Sequence, residues 1–344
     1  LRLIVGKAAG ELDMVPTSTK RGTKAAKKPE WLKVRAPGGE RYTHLKQTFR
    51  SLGLNTVCEE ARCPNIGECW REGTATLMIL GDTCTRGCRF CAVTSGKPAA
   101  RDAQEPENVG RALGEMDLAY VVLTMVDRDD LPDGGAAHVA ETVQRIRQHS
   151  AGTLIETLVG DFAGARADIE FVVREGRPDV FAHNVEVVPR LQRTMRDARC
   201  SWDRSVQVLN WARDAGANVI KTSLMCGCGE TEDEMMDALK RLRDANVDVV
   251  TIGQYLQPTE KHASVMRFVE PAEFDRYREA GMALGFKYVA SGPLVRSSYR
   301  AAEAFLRGIL RAHPDGTNAD KLSDNQAPFS DRYGKRRLQV VSTP

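Results

Sequence analysis

The sequence predicts an α/β chain folded as a partial (β/α)6 barrel of the TIM type, and three observations carry that prediction. Apolar, β-branched runs alternate with helical patterns along most of the chain, as parallel strands joined by right-handed crossovers require. Six such units fit the roughly 220 residues between Ala75 and Pro293, where a full eight-unit barrel takes ~250. No G-x-G-x-x-G follows the first run, which weighs against the competing doubly wound open sheet. A group of cysteines follows it instead.

Leu1 to Lys28 reads as a poorly ordered lead. Its basic residues, Lys20, Arg21, Lys24, Lys27 and Lys28, fit a solvated arm, with a nucleic-acid arm as the sharper alternative. Tyr42 to Leu52 fits a short helix. The expected strands are Ala75–Leu80, Leu118–Val126, Leu154–Val159, Val180–Val187, Val219–Met225 and Val247–Tyr255. The helices between them are expected at Glu107–Glu115, Ala136–His149, Ala165–Glu175, Trp202–Ala215 and Thr231–Ala245. Thr231 with Glu234 forms a capping box, and Gly216 suits a helix stop. A further helix fits Ala272–Leu284, and beyond His313 the chain turns polar and frays.

Composition narrows the class of function. Of 344 residues, 42% are hydrophobic, enough for one large core. The 49 basic and 46 acidic residues leave a net charge of +3, which gives no ground for nucleic-acid binding. No run approaches the ~20 apolar residues that cross a bilayer. Neither nucleic acid nor membrane is therefore expected as a partner. Nine cysteines is an odd count in a chain too long to need disulfide staples, and no secretory signal peptide is expected. A reducing compartment follows, where clustered cysteines bind metal or do redox work.

Six of those cysteines crowd into two triplets. Cys58, Cys63 and Cys69 form C-x4-C-x5-C. Cys84, Cys88 and Cys91 form C-x3-C-x2-C immediately after the first strand, where the carboxyl ends of barrel strands carry active sites. Structural zinc prefers four ligands, usually as two close pairs, and no histidine is near either triplet. Buried core cysteines would have apolar neighbours, whereas these have Thr85, Arg86, Gly87, Arg89, Glu59, Glu60 and Arg62. Thiolate ligation of iron–sulfur clusters fits better. Three thiolates leave one iron of a four-iron cluster open to a small molecule.

The second triplet, with Phe90 before its last cysteine, resembles the radical SAM signature. Further segments resemble the lipoyl synthase family within that superfamily: Val57-Cys58 through Cys69-Trp70, Asp127-Arg128-Asp129-Asp130-Leu131, Ala182-His183-Asn184-Val185-Glu186, Gly253-Gln254-Tyr255 and Arg296-Ser297-Ser298-Tyr299-Arg300. The resemblance spans about Pro29 to Arg307. It implies that Cys84, Cys88 and Cys91 hold a [4Fe-4S] cluster whose open iron chelates S-adenosyl-L-methionine. It implies that Cys58, Cys63 and Cys69 hold an auxiliary [4Fe-4S] cluster, with Ser298 as fourth ligand and Ser297 as the alternative. The implied reaction inserts two sulfur atoms, at C6 and C8 of an octanoyl chain on a protein lysine, with the auxiliary cluster as sulfur source. A biotin-synthase-like sulfur insertion and a non-catalytic two-cluster electron carrier are the alternatives.

On that basis the chain divides into a lead (1–28), an N-terminal extension with the auxiliary triplet (29–74), the barrel (75–293) and a C-terminal segment with the serine and a frayed tail (294–344). The implied partners are octanoylated lipoyl carrier domains of 2-oxoacid dehydrogenases or of the glycine cleavage H protein, reduced ferredoxin or flavodoxin, and iron–sulfur assembly proteins. The expected location is the bacterial cytoplasm, or a mitochondrion or plastid if the N-terminus is a transit-peptide remnant.

Four residues are candidates for the S-adenosylmethionine region: Asn184, Glu186, Lys221 and Asp129. Asn184 and Glu186 alternate out of an apolar strand and so point inward, where the ribose or methionine end of the cofactor would give them partners. Lys221 could pair with Glu186 or a cofactor carboxylate, or form a buried ion pair. Asp129 shares a charged loop with Asp127 and Asp130, in a place where loops carry function. The chain departs from the family pattern at Met125, Cys200, Cys226 and Cys228. Cys226 and Cys228 are expected on one face of a strand, as small core residues or at the barrel mouth.

Overall fold

The structure is a computed structural model that describes residues 28–33, 38, 40–51, 54–60, 63, 65–71, 74–116 and 118–298. The lead up to residue 27 and everything beyond 298, including the expected frayed tail, lie outside the described residues.

One sheet organises the molecule. Its first strand, β1 (Asn55–Thr56), runs antiparallel to β2 (Thr74–Ile79). A separate pair of two-residue strands, β3 (Thr83–Cys84) and β4 (Thr94–Ser95), brackets the second cysteine triplet. Parallel strands then follow β2 in chain order: β5 (Tyr120–Met125), β6 (Leu154–Leu158), β7 (Val180–Ala182), β8 (Ile220–Cys226), β9 (Val249–Gln254) and β10 (Tyr288–Gly292).

The spatial order β1-β2-β5-β6-β7-β8-β9-β10 never reverses. A doubly wound sheet reverses at a switch point; here each crossover steps in one direction, so the sheet is a barrel wall. Among the described residues no ladder joins β10 back to β2, and the barrel stays partial.

The six expected parallel strands are present, and β10 adds a seventh. The helix Pro271–Ala283 before it completes another unit. The strands are apolar along their length because both faces are covered, and β9 and β10 are buried throughout. The helix Glu232–Asp244 shows how the outer layer is encoded. Met235, Ala238, Leu239 and Leu242 bury one stripe. Thr231 and Glu234 close the expected capping box at its start. Helix Ala136–His149 matches its expected bounds, while the expected Ala165–Glu175 helix is Arg166–Phe171 followed by a π turn.

The expected strand Val180–Val187 stops at Ala182. Glu186 takes a left-handed φ of 67°, which breaks the alternation, and it re-pairs with Leu224 as an isolated bridge.

Candidate active site

The second triplet hangs from the carboxyl end of β2. Leu80 and Gly81 take φ of 69° and 96°, turning the chain out of the strand, and the β3–β4 pair pins the base of the loop. Cys84, Cys88 and Cys91 then line one cavity of about 250 Å³ at the barrel mouth.

Each of the three sulfurs meets a backbone N–H. Arg86 N–H donates to Cys84 Sγ (3.4 Å) and Asp197 N–H to Cys88 Sγ (3.3 Å), while Val93 N–H serves Cys91. Burial pushes the Cys91 thiol up to about 11, and the amides work the other way by favouring thiolate. Arg196 also lines the cavity, and its buried Nε has no partner among the described residues. Three soft thiols, amides aimed at sulfur and a buried cationic N–H fit an anionic iron–sulfur cluster. Among the described residues no trio of His, Cys, Asp or Glu closes on a single metal ion, and a four-iron cluster is wider than an ion.

Arg86 holds this loop to the barrel. Its guanidinium, 4% exposed, hydrogen-bonds Asp129 (2.7 and 3.0 Å) and Asp161 (2.6 Å), with Asp127 at 3.7 Å. Burial opposes the charge, but the Asp129 and Asp161 hydrogen bonds outweigh it and hold the guanidinium well above its usual range.

The structure therefore turns Asp129 toward Arg86 rather than into the cavity. Its carboxylate also takes Thr85 Oγ (2.7 Å) and Arg199 (3.1 Å), and it is absent from the cavity wall. The Arg86 hydrogen bond lowers its pKa, against burial. Asp127, two residues earlier, lines the cavity and is pushed up to about 6 by burial, which the Arg86 charge opposes.

Asn184 and Glu186 come together on the cavity wall, Asn184 Nδ2 donating to Glu186 Oε1 at 3.1 Å. Burial raises the Glu186 pKa, against the pull of Arg196 and Asn184. Lys221 does not join them. It sits at the amino end of β8, away from the mouth, with Nζ 2.8 and 2.7 Å from the two Glu156 oxygens. Tyr120 donates to the same carboxylate at 2.7 Å. The buried ion pair is what forms, and its partner is Glu156 rather than Glu186.

The first triplet is packed beside β1 and β2. Cys58 lies in the short helix Val57–Glu60 and Cys69 in Ile66–Arg71. Cys63 N–H donates to Cys58 O at 3.0 Å, and Cys69 N–H to Asn65 O at 3.0 Å. Burial, then the neighbouring Cys63, pushes Cys58 up to about 11, while donors from Thr76 and Trp70 oppose it. Val57, next to Cys58, lines the same cavity as the second triplet.

A C-terminal strap lies over this triplet. Asn65 Nδ2 donates to Leu294 O at 2.7 Å across 229 residues of sequence. The positive charge of Arg296 opposes the burial that raises Cys63. Gly253 makes the strap possible, because a Cβ there would stand 2.0 Å from Val295 O. Ser297 and Ser298, both half-buried, follow at once.

Comparisons with known proteins agree with this geometry. The sequence model of the radical SAM superfamily matches residues 78–242, and that of the N-terminal domain of lipoyl synthase matches residues 9–63. The chain is 59% identical over 299 residues to a lipoyl synthase of Sorangium cellulosum (strain So ce56), covering 82% of this chain and 80% of that one. The chain belongs to the lipoyl synthase family. It is 54% identical to a mitochondrial lipoyl synthase of Ostreococcus lucimarinus (strain CCE9901), covering 86% of this chain and 75% of that one. An apicoplast lipoyl synthase of Plasmodium knowlesi (strain H) is 52% identical, covering 83% of this chain and 64% of that one. Among solved structures, methylornithine synthase aligns with a TM-score of 0.50 at 17% identity, covering 70% of this chain and 73% of that one; the likeness is one of fold. The relatives include mitochondrial and apicoplast forms, and no helix among the described residues is long and apolar enough to cross a membrane.

Against the family pattern, Met125 lines the cavity, but Cys226 and Cys228 do not share a strand face. β8 ends at Cys226, and Gly227, with φ of 89°, turns the chain. Glu230 then accepts from the Gly227 and Cys228 amides at 2.6 and 2.9 Å. Both cysteines are buried and neither lines the cavity. Sequence reasoning passed over Arg196 and Asp197 altogether. Their turn follows a short helix and carries no motif, so only the extra Cys200 marked it.

Proposed function

We propose that this lipoyl synthase inserts sulfur at C6 and C8 of an octanoyl chain amide-linked to a lysine of a lipoyl carrier domain, with an auxiliary [4Fe-4S] cluster as the sulfur-donating substrate. The observation that carries this reading is the Leu294–Ser298 strap seated on the first cysteine triplet through Asn65.

In this reading Cys84, Cys88 and Cys91 hold the resident cluster. When bound with S-adenosylmethionine, that cluster supplies one-electron cleavage of the sulfonium to a carbon radical. The chain's own residues position and exclude. Amides of Arg86, Val93 and Asp197 orient the sulfurs. Asn184 and Glu186 offer polar contacts to the cofactor's polar groups. Phe90, Val93, Met125 and Val126 give the cavity apolar walls that shut out water and suit an acyl chain. Cys58, Cys63 and Cys69 present the sulfur-donating cluster, with Ser298 as a hard oxygen ligand that yields more readily than thiolate. Ferredoxin or flavodoxin supplies electrons, and iron–sulfur assembly proteins restore the consumed cluster.

The test is reduced, reconstituted protein with S-adenosylmethionine and an octanoyl-lysine peptide. Deoxyadenosine together with dithiolated peptide is expected. Deoxyadenosine without thiolated peptide overturns the sulfur-insertion reading, and absence of both overturns the radical one. Ser298→Ala is expected to stop thiolation while deoxyadenosine still forms; unimpaired thiolation moves the ligand to Ser297 or elsewhere.

A further inference from the structure

Leu80 takes its left-handed φ of 69° with a bulky side chain and is 2% exposed. Such a backbone is disfavoured for a residue of this size and persists only where the surroundings fix it. Here they fix it from three sides. Glu105 Oε2, in the first turn of the helix Glu105–Met116, accepts from Leu80 N–H at 2.7 Å. Arg128 Nη1 donates to Leu80 O at 3.1 Å. The Leu80 side chain fills the space that a Cβ on Gly135 would need, with its Cδ1 2.5 Å from that position. β2 ends at Ile79, so side chains take over the backbone groups of Leu80 where the ladder stops.

Both charged groups are themselves held. The buried His138 meets the same Glu105 Oε2 through Nε2 at 2.6 Å and Arg101 Nη1 through Nδ1 at 3.3 Å. A guanidinium only donates, so Nδ1 accepts and Nε2–H donates to Glu105. Arg128 is fixed by Asp130, at 2.8 Å to each oxygen, and by Ala99 O at 3.0 Å. None of Glu105, Arg128 and His138 lines the cavity. They bear on it through the chain: Gly81 turns the backbone again with φ of 96°, and Cys84 follows on β3. A change of direction at Leu80 therefore moves Cys84.

We propose that Glu105 is a positioning residue for the radical reaction: with His138 behind it and Arg128 opposite, it fixes the left-handed turn at Leu80 that aims Cys84 into the cavity. The inference rests on the reading of Cys84 as a ligand of the cluster that binds S-adenosylmethionine. What Glu105 supplies is an acceptor at one place rather than a charge. A single oxygen, Oε2, takes both the Leu80 and the His138 hydrogen bonds, so an amide oxygen in that place serves as well. The competing role is that of an acidic residue in the first turn of a helix, which favours the helix dipole and which any carboxylate fills. The two roles respond to opposite substitutions. Glu105→Gln keeps the reach of the acceptor and loses the charge. Glu105→Asp keeps the charge, shortens the reach by a methylene and leaves the Leu80 N–H unpaired, a costly state for a buried donor.

The experiment compares the reconstituted full chain with its Glu105→Gln and Glu105→Asp variants. Three quantities are read: iron per chain, amide hydrogen exchange across residues 80–84, and the S-adenosylmethionine concentration that half-changes the electron paramagnetic resonance signal of the reduced protein. Both variants are expected to hold the parent's iron, because the cysteines are intact. Glu105→Gln is expected to follow the parent in exchange and in signal. Glu105→Asp is expected to lose protection across 80–84 and to need roughly ten- to a hundredfold more S-adenosylmethionine, as misplacement of a reacting group by about 1 Å costs. A Glu105→Asp variant that matches the parent overturns the proposal, and so does a Glu105→Gln variant as impaired as Glu105→Asp. Iron lost from Glu105→Asp also overturns it, because Glu105 would then serve cluster assembly rather than aim. If Glu105→Asp does not fold, His138→Leu, which leaves Glu105 in place and removes the donor that holds it, carries the same expectation. A parent whose signal does not respond to S-adenosylmethionine counts against the cluster reading itself, and the exchange across 80–84 still decides whether Glu105 holds the turn.

Discussion

Replacing Lys221 with Met tests whether that lysine supports the fold or the cofactor. In the folded chain Nζ makes two charge-assisted hydrogen bonds to Glu156, at 2.8 and 2.7 Å, and the two side chains are 3% and 1% exposed. At ~3 Å and an effective dielectric constant of ~20, the attraction is about 5 kcal/mol, set against the cost of desolvating both charges. Lys221→Met leaves a buried carboxylate with the Tyr120 hydroxyl as its remaining donor. Loss of one partner from a buried pair costs about 3–5 kcal/mol, or a fall of roughly 4–7 °C in Tm for a chain of this size. The double variant Lys221→Met/Glu156→Gln removes both charges and keeps an acceptor for Tyr120, so it sits closer to the parent than the single variant does. Thermal melts of the parent, single and double variants under anaerobic conditions read the coupling. Two results refute the reasoning: a loss below about 1 kcal/mol for Lys221→Met, or an unchanged Tm with a raised KM for S-adenosylmethionine.

Three further outcomes follow from the same geometry. Cys58→Ala and Cys84→Ala are each expected to lose one cluster's iron and sulfide and keep the other's; a variant that loses all its iron would show one shared centre instead. Gly253→Ala places a methyl 2.0 Å from Val295 O, so the strap must lift: deoxyadenosine production is expected to persist while thiolation falls at least tenfold, a barrier change of about 1.4 kcal/mol or more, and equal loss of both activities would point to a misfolded barrel. His183 is held at about 4, against a usual 6.5, by burial first and then by the Arg196 charge. The unfolded chain therefore binds the proton that the folded chain refuses between those values, and stability falls as pH drops from about 6.5 to about 4. His183→Gln is expected to flatten that part of the pH dependence of Tm, and an unchanged slope would remove His183 from the account.

His183 follows directly on the end of β7. A carbonyl only accepts, so Nδ1–H donates to Val159 O (2.8 Å) and Nε2 accepts from Ser205 Oγ (2.9 Å). Those two bonds fasten β7 where it leaves the sheet. Asn184 and Glu186 then reach the cavity through a left-handed residue, not through strand alternation. Sequence periodicity turned Asn184 and Glu186 inward for an incomplete reason, because it carries no sign of a positive φ at Glu186. The cysteine triplets could be read from the chain because close spacing of thiols is a local property of the sequence. Lys221 and Asp129 were misplaced because their partners are remote: Glu156 is 65 residues from Lys221, and Arg86 is 43 from Asp129. A charge next to a functional strand end is ambiguous until its counter-charge is found. Two chemically similar aspartates, Asp127 and Asp129, end with different surroundings because Arg86 hydrogen-bonds the second and not the first. The cavity therefore receives the aspartate that Arg86 leaves free of a hydrogen bond. A substitution at Arg86 would disturb the cluster loop and the cavity's charge together, and neither effect could be assigned without the other. That is why the separable tests lie at Lys221 and Gly253, where one contact at a time can be removed.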